Sequence, residues 1–150
     1  PLPRWGIIAG KSAAVVLVVA LQSVLLGAIG VALGWRPEPT GLLLGAVVIG
    51  VGTITFAAMG LLLGGTLRAE IVLALANILW FVMVAIGSVL FVRGDVSPAW
   101  TTAAQLVPSG ALAHGLESAL AGSIDGFSLV VLAVWAAVTG ILAVRLFRFT

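Results

Sequence analysis

GLLLGAVVIGVGTITFAAMGLLLG, residues Gly41 to Gly64, contains no charged side chain, and a helix of this sequence is apolar on every side. At 1.5 Å per residue such a run crosses a hydrocarbon core of roughly 30 Å. A helix of a water-soluble protein needs only one apolar stripe, so the pattern puts this segment in a membrane. Runs of the same character occupy residues 12–34, 71–92 and 127–144, the last span reaching to about 147. The fold class that follows is all-α integral membrane: a helical bundle with four transmembrane helices in this chain.

Composition leads to the same class. Of 150 residues, 62% are hydrophobic and 8% are charged, whereas an average soluble domain is about one-quarter charged. The net charge is +2, but the seven Lys and Arg sit at the ends of apolar runs and form no phosphate-tracking stripe. Nucleic acid is therefore not an expected partner. With no cysteine, the chain has no disulfide, thiolate metal site or cysteine nucleophile.

The basic residues set the orientation. Arg4 and Lys11 precede the first run, Arg68 lies between the second and third, and Arg145 and Arg148 end the chain. The opposite side holds Arg36 and Arg93, offset by Glu38, Asp95, Glu117 and Asp125. The positive-inside rule makes the Arg68 side cytoplasmic, and four crossings return both ends there. The expected location is the cell (cytoplasmic) membrane. Arg4, Lys11 and the small-x-small Ala28-Ile29-Gly30 resemble a signal peptide, but the run exceeds a normal h-region and leads into further apolar sequence. A start at Pro1 suggests part of a longer polypeptide whose 150 residues here form one transmembrane domain.

The links between runs differ in kind. Residues 35–40, held non-helical by Pro37 and Pro39, form a short external turn, and residues 65–70 an equally short cytoplasmic one. The stretch from Arg93 to Gly126 is too long for a turn and too polar to span. Pro98 and Pro108 divide it into two short external helices, amphipathic or re-entrant, over about 97–122. The second is expected to open on Ser109 as N-cap and close near Gly122. Leu112, Leu116, Ala119 and Leu120 share one of its faces, with His114, Glu117, Ser118 and Ala121 opposite. This suits a helix lying at, or dipping into, the outer boundary, with Trp100 as an interfacial anchor. Trp100, His114 and Glu117 are the external gate candidates.

Glycines four apart, at 30 and 34, 41 and 45, and 60 and 64, permit close helix–helix approach, within the chain or between subunits. Polar groups inside the runs are few and uncharged, which leaves little for a proton relay. Asn77, Phe81, Val84 and Ser88 fall on one face of the third run, as a lining for an amphipathic substrate or as ordinary packing. Catalytic constellations are nearly absent. A Ser88 nucleophile with His114 as base can be drawn, as in a membrane-embedded serine protease, but Gly87-Ser88-Val89 lacks the glycine that follows the serine in such enzymes. His114 is the single histidine, so a multi-histidine metal site is excluded, and no Gly-x-x-x-x-Gly-Lys-Ser/Thr loop is present. No catalytic or metal-binding residue is assigned, and any ATP hydrolysis belongs to another polypeptide or domain.

The order of these elements resembles the second half of an ABC-2 type ABC-transporter permease. Pro3-Arg4 and Gly10-Lys11 before a span resemble that family in character, as do Gly60-Leu61-Leu62-Leu63-Gly64 leading into Leu67-Arg68-Ala69-Glu70 and then Ala74-Leu75-Ala76-Asn77. Gln105-Leu106-Val107-Pro108 followed by His114-Gly115-Leu116 resembles its signature region ahead of the final span. The resemblance implies spans three to six of a six-span permease of a drug, antibiotic or lipid exporter. It also implies pairing with a second permease subunit, identical or not, and cytoplasmic ATPase subunits that bind ATP and Mg. Arg4, Trp5, Lys11, Arg68 and Glu70 would then face the ATPase. Asn77, Phe81, Val84 and Ser88 would line the route of a small amphipathic substrate drawn from membrane lipid. A membrane anchoring or assembly subunit is the alternative reading.

Overall fold

A computed structural model describes residues 4–89 and 97–146, with side chains from Gly10 to Ser88 and from Ser97 to Leu146. The chain divides into two compact units, Pro1–Pro37 and Glu38–Thr150. Among the described residues the regular structure is entirely helical.

The first unit holds α1 (Arg4–Ala32), of which Gly10–Ala32 is long and apolar enough to cross a membrane. Its end is a Schellman turn. Gly34, at φ +101°, donates its N–H to the Val31 carbonyl at 3.0 Å, and Trp35 donates to the Gly30 carbonyl at 2.9 Å. A Cβ on Gly30 would lie 3.0 Å from the Trp35 ring. The first glycine pair is thus accounted for locally: Gly34 makes the turn, and Gly30 makes room for the indole that folds back over it.

The second unit contains α2 (Pro39–Thr66), α3 (Ala69–Val89), α4 (Pro98–Gln105), α5 (Pro108–Leu120) and α6 (Gly126–Leu146). α2, α6 and the described part of α3 are long and apolar enough to span. With α1 they make four such helices, beginning and ending within a few residues of the runs read from sequence. Residues 90–92 and 147 of those runs lie outside the described residues. Large apolar side chains such as Leu43, Ile54, Phe81 and Val130 remain exposed, as helices surrounded by lipid require.

α2 organises this unit through one face. Gly41, Gly45, Val48, Gly52 and Thr55 recur at alternating steps of four and three, and all five are buried. α5 runs antiparallel along that face: a Cβ at Gly41 would meet the Leu120 carbonyl at 2.8 Å, one at Gly45 the Leu116 side chain at 3.4 Å, and one at Gly52 the Leu112 side chain at 2.7 Å. Close approach of this kind holds helices together in lipid, where hydrophobic transfer between helices supplies no driving force. At Gly115 α5 meets both α6 and α2, since a Cβ there would lie 3.0 Å from Ser128 and 3.4 Å from the Val48 side chain. Ala111, Val131 and Leu132 form the core, ringed by Val51, Leu112 and Trp135. Thr55 adds a polar tie, its hydroxyl lying 2.9 Å from the Val51 carbonyl and 3.0 Å from the Leu132 carbonyl of α6.

α4 and α5 form a tight helical hairpin turning at Leu106 and Val107. Gly110 is obligatory there, because a Cβ would fall 1.9 Å from the Ala104 carbonyl oxygen. α5 does not lie flat along a boundary. From Gly41, beside its C-terminus, to Gly52, beside Leu112, α2 rises about 16 Å at 1.5 Å per residue, so the hairpin tip reaches the middle of α2. Of the two dispositions compatible with the sequence, packing lengthwise along a candidate span fits the dipping one. The helix also opens earlier than expected. Val107 is the N-cap and Pro108 the first helical residue, so Ser109 sits second and does not cap. Proline without an N–H suits that first position better than serine does. The other end closes at Gly122, φ +84°, with Ser123 donating to the Ser118 carbonyl at 3.0 Å.

Candidate functional site

Where the hairpin tip comes between α2 and α3, the helices leave a shallow, largely open groove, or cavity, with a volume of about 440 Å³. α3 supplies one wall with Trp80, Met83, Val84, Gly87 and Ser88, a stripe set by the helical repeat. Phe56 of α2 forms the second wall, and Ser109 and Ala113 of α5 the third. None of these side chains is charged. The lining is predominantly apolar.

The stripe expected to line a substrate route is split by this geometry. Val84 and Ser88 line the cavity, whereas Asn77 and Phe81 are exposed on α3 and are not among its lining. The lined face is rotated from the expected one toward Trp80, Met83 and Gly87. Trp80 and Phe81 stand edge to face with centroids 4.9 Å apart, so the two faces meet at an aromatic ridge.

The two serines of the cavity differ in bonding. Ser88 donates to the Ala85 carbonyl of its own helix at 2.7 Å, as Thr53 does to Ile49 and Thr139 to Trp135 at the same distance. Ser109 cannot do this. At the second position of α5 it has no carbonyl of its own helix three or four residues behind it, and its Oγ is buried without a partner. A neutral hydroxyl left in that state costs about 1–3 kcal/mol. The sequence reading assigned Ser109 as a cap and so missed it; the Pro108-Ser109 order, with proline taking the first helical position, was the available signal.

The hairpin meets α6 and its N-cap at two places. At the tip, the Trp135 indole N–H donates to the Leu106 carbonyl at 3.0 Å. Midway along α5, His114 Nε2 lies 3.8 Å from Asp125 Oδ2. Asp125 also caps α6: its carboxylate accepts the Ser128 backbone N–H at 3.0 Å and the Ser128 hydroxyl. The Ser128 hydroxyl bond chiefly holds the Asp125 carboxyl below the usual range against the opposing effect of burial, and the Ser128 amide and His114 act in the same direction. The sequence reading counted Asp125 only as an external charge, although Asp-Gly-Phe-Ser before an apolar run is a helix-start pattern. Of the other external candidates, Glu117 is exposed on α5, and Trp100 is 70% exposed on α4.

The candidates assigned to the cytoplasmic side are placed less specifically. Arg4 and Trp5 open α1, and their side chains lie outside those described; Lys11 is exposed on the same helix. Arg68 and Glu70 are exposed at the turn from α2 to α3, where Arg68 offers its carbonyl to Val72 N–H at 2.9 Å and Glu70 lies in the first turn of α3. An acidic side chain there complements the helix dipole. Arg93, Asp95 and Arg148, used to assign orientation, lie outside the described residues. Among the described residues, no group of three or more His, Cys, Asp or Glu converges on a metal position.

A family model for an ABC-2 family transporter protein matches residues 1–145. Neither the curated proteins nor the solved structures contain a match to the chain.

Proposed function

We propose a direction, an energy source and a cargo for this chain, which belongs to the ABC-2 transporter family and is a multi-pass membrane permease component. It works as the permease subunit of an ATP-driven exporter of hydrophobic or amphipathic molecules. Cytoplasmic ATPase subunits, with ATP and Mg, drive it, and a second permease subunit, identical or different, pairs with it. Arg4, Trp5, Lys11, Arg68 and Glu70 meet the ATPase, which requires both ends of this chain to be cytoplasmic.

The observation that carries this reading is the uncharged cavity between α3 and the hairpin tip, halfway along α2. An ion or sugar would find no charged partner on that lining, whereas an apolar molecule needs none. The hairpin adds a way to move. It is held at its tip by one indole hydrogen bond and is packed through backbone-close glycine contacts, an arrangement suited to shifting as a rigid body when the ATPases close.

The test is to purify the complete parent protein in nanodiscs and ask whether an ATP-hydrolysing subunit accompanies it. A co-purifying ATPase stimulated by amphipathic compounds is expected. A protein that purifies without an ATPase and ignores such compounds would refute the exporter reading in favour of an anchoring subunit.

A further inference from the structure

We infer that His114 and Asp125 form a proton-operated latch: protonation of the imidazole fastens α5 to the start of α6 and holds the hairpin closed, and loss of that proton releases it. Only the consequence for transport rests on the exporter reading above.

The two partners are built differently. Asp125 is positioned independently of His114, because its carboxylate accepts the Ser128 amide at 3.0 Å and the Ser128 hydroxyl. The hydroxyl bond chiefly keeps that carboxyl below the ordinary 3.8, against burial, so Asp125 stays ionised in mild acid. His114 contributes charge alone. Its Nε2 is 3.8 Å from Asp125 Oδ2, beyond the roughly 3.2 Å reach of an N–H···O hydrogen bond, so a neutral imidazole gains little there. An imidazolium gains a Coulomb attraction. Histidine is the side chain that changes charge between about pH 5 and 8, and with 35% and 23% of the two side chains exposed, protons reach the pair from water.

The surroundings leave the pair isolated. Of the helices packed on α5, α2 and α4 carry no charged residue, α3 only Glu70 in its first turn, and α6 only Arg145 at its far end. Glu38, the N-cap of α2, is exposed, and Glu117, one turn along α5, makes no ion pair among the described residues. Asp125 is thus the described charge that faces His114. The attraction also acts at a helix seam. Gly115, next to His114, is wedged against Ser128, which is itself fully buried and bonded to Asp125.

The sign follows from linkage. The closed hairpin holds the imidazole proton more tightly than the open one, so closure gains as pH falls through the histidine range and loses as pH rises through it. The gain ends where Asp125 itself takes up a proton, below 3.8. In the proposed orientation the pair faces the cell exterior, so external acid would hold the hairpin and slow export.

The experiment is hydrogen exchange read by mass spectrometry on the complete protein in phosphatidylcholine nanodiscs. Rates at about pH 5.5 and 7.5, on either side of the histidine midpoint, are corrected for the intrinsic pH dependence of amide exchange. Protection of residues 109–120, relative to residues 10–32, should be about two- to fivefold greater at the lower pH, the worth of a partly exposed ion pair. His114→Gln and Asp125→Asn should each abolish that difference, whatever they do to protection itself, and Glu117→Gln should keep it. A difference that survives His114→Gln, one that Glu117→Gln removes, or equal wild-type protection at both pH values would overturn the latch. ATPase stimulation by an amphipathic compound is read in the same samples and should fall at the lower pH more in the wild type than in His114→Gln. Stimulation with pH-independent protection sinks the latch alone, whereas pH-dependent protection without any ATPase leaves the latch standing and sinks the exporter reading.

Discussion

Gly110→Ala gives the shortest Cβ clash among the glycines of the described residues. Its Cβ would lie 1.9 Å from the Ala104 carbonyl oxygen and 2.6 Å from the carbonyl carbon. An ordinary contact begins near 3.4 Å, so the two strands of the hairpin would have to part by more than 1 Å. Both clashing partners are backbone, and no rotamer change relieves them. Ala104 is 6% exposed, which leaves little space for the displaced turn. Overpacking of a rigid contact costs about 1–3 kcal/mol, and helix propensity returns at most about 1 kcal/mol when alanine replaces glycine. A clash against backbone falls at the upper end, for a net loss of about 2 kcal/mol, or on the order of thirtyfold in the population of the closed hairpin. Gly140→Ala is the control, because nothing lies within 4 Å of a Cβ there. The chain has no cysteine, so a single one introduced at Ala111, which is fully buried, reports opening of the hairpin through its rate of modification by a small maleimide. Faster labelling and a lower melting temperature are expected in Gly110→Ala, with Gly140→Ala labelled like the parent and melting no lower. Equal labelling in the two variants would refute the hairpin geometry.

Thr55→Val removes the hydroxyl shared with the Leu132 carbonyl and keeps the shape; in detergent melts it should cost about 0.6–1.7 kcal/mol, the range for hydrogen bonds between membrane helices. Thr139→Val, which loses only a bond within α6, should cost less, and equality of the two would count against an α2–α6 tie. For Asp125, a depressed native pKa means that its contribution to stability is present above the unfolded value of 3.8 and is lost as pH falls through the native value. Asp125→Asn should therefore flatten the part of the acid-unfolding curve below roughly pH 4, as followed by tryptophan fluorescence. Charge reversal at Arg68 should lower transport-coupled ATPase activity more than reversal at Arg36, and equal losses would contradict the proposed orientation.

The legibility of this chain follows from the ranges of the forces involved. The four long helices are written in local composition, because lipid imposes apolarity residue by residue and backbone hydrogen bonds close within each helix. The glycine pairs were equally visible, yet their roles were not, since spacing alone does not say what approaches. Gly41 and Gly45 receive α5, Gly30 and Gly34 serve the end of their own helix, and nothing lies within 4 Å of a Cβ at Gly60 or Gly64.

The insert shows where local reading stops. Its amphipathic pattern fits a helix lying on the membrane as well as one dipping in, because both bury one face. What decides between them is non-local: Gly52 opposite Leu112, Gly115 wedged against Ser128, and Trp135 reaching 29 positions back to Leu106. The apolar side of α5 therefore packs on α2, and its smallest residues, Ala111, Gly115 and Ala119, are the buried ones. Small residues score weakly as hydrophobic, so a periodicity that weights leucine points toward the wrong edge of the buried face. The same bias turned the expected α3 lining toward Phe81 and away from Gly87, at whose missing side chain the hairpin tip enters. In a bundle packed by close approach, the informative residue is often the one with least to contribute to a hydropathy pattern.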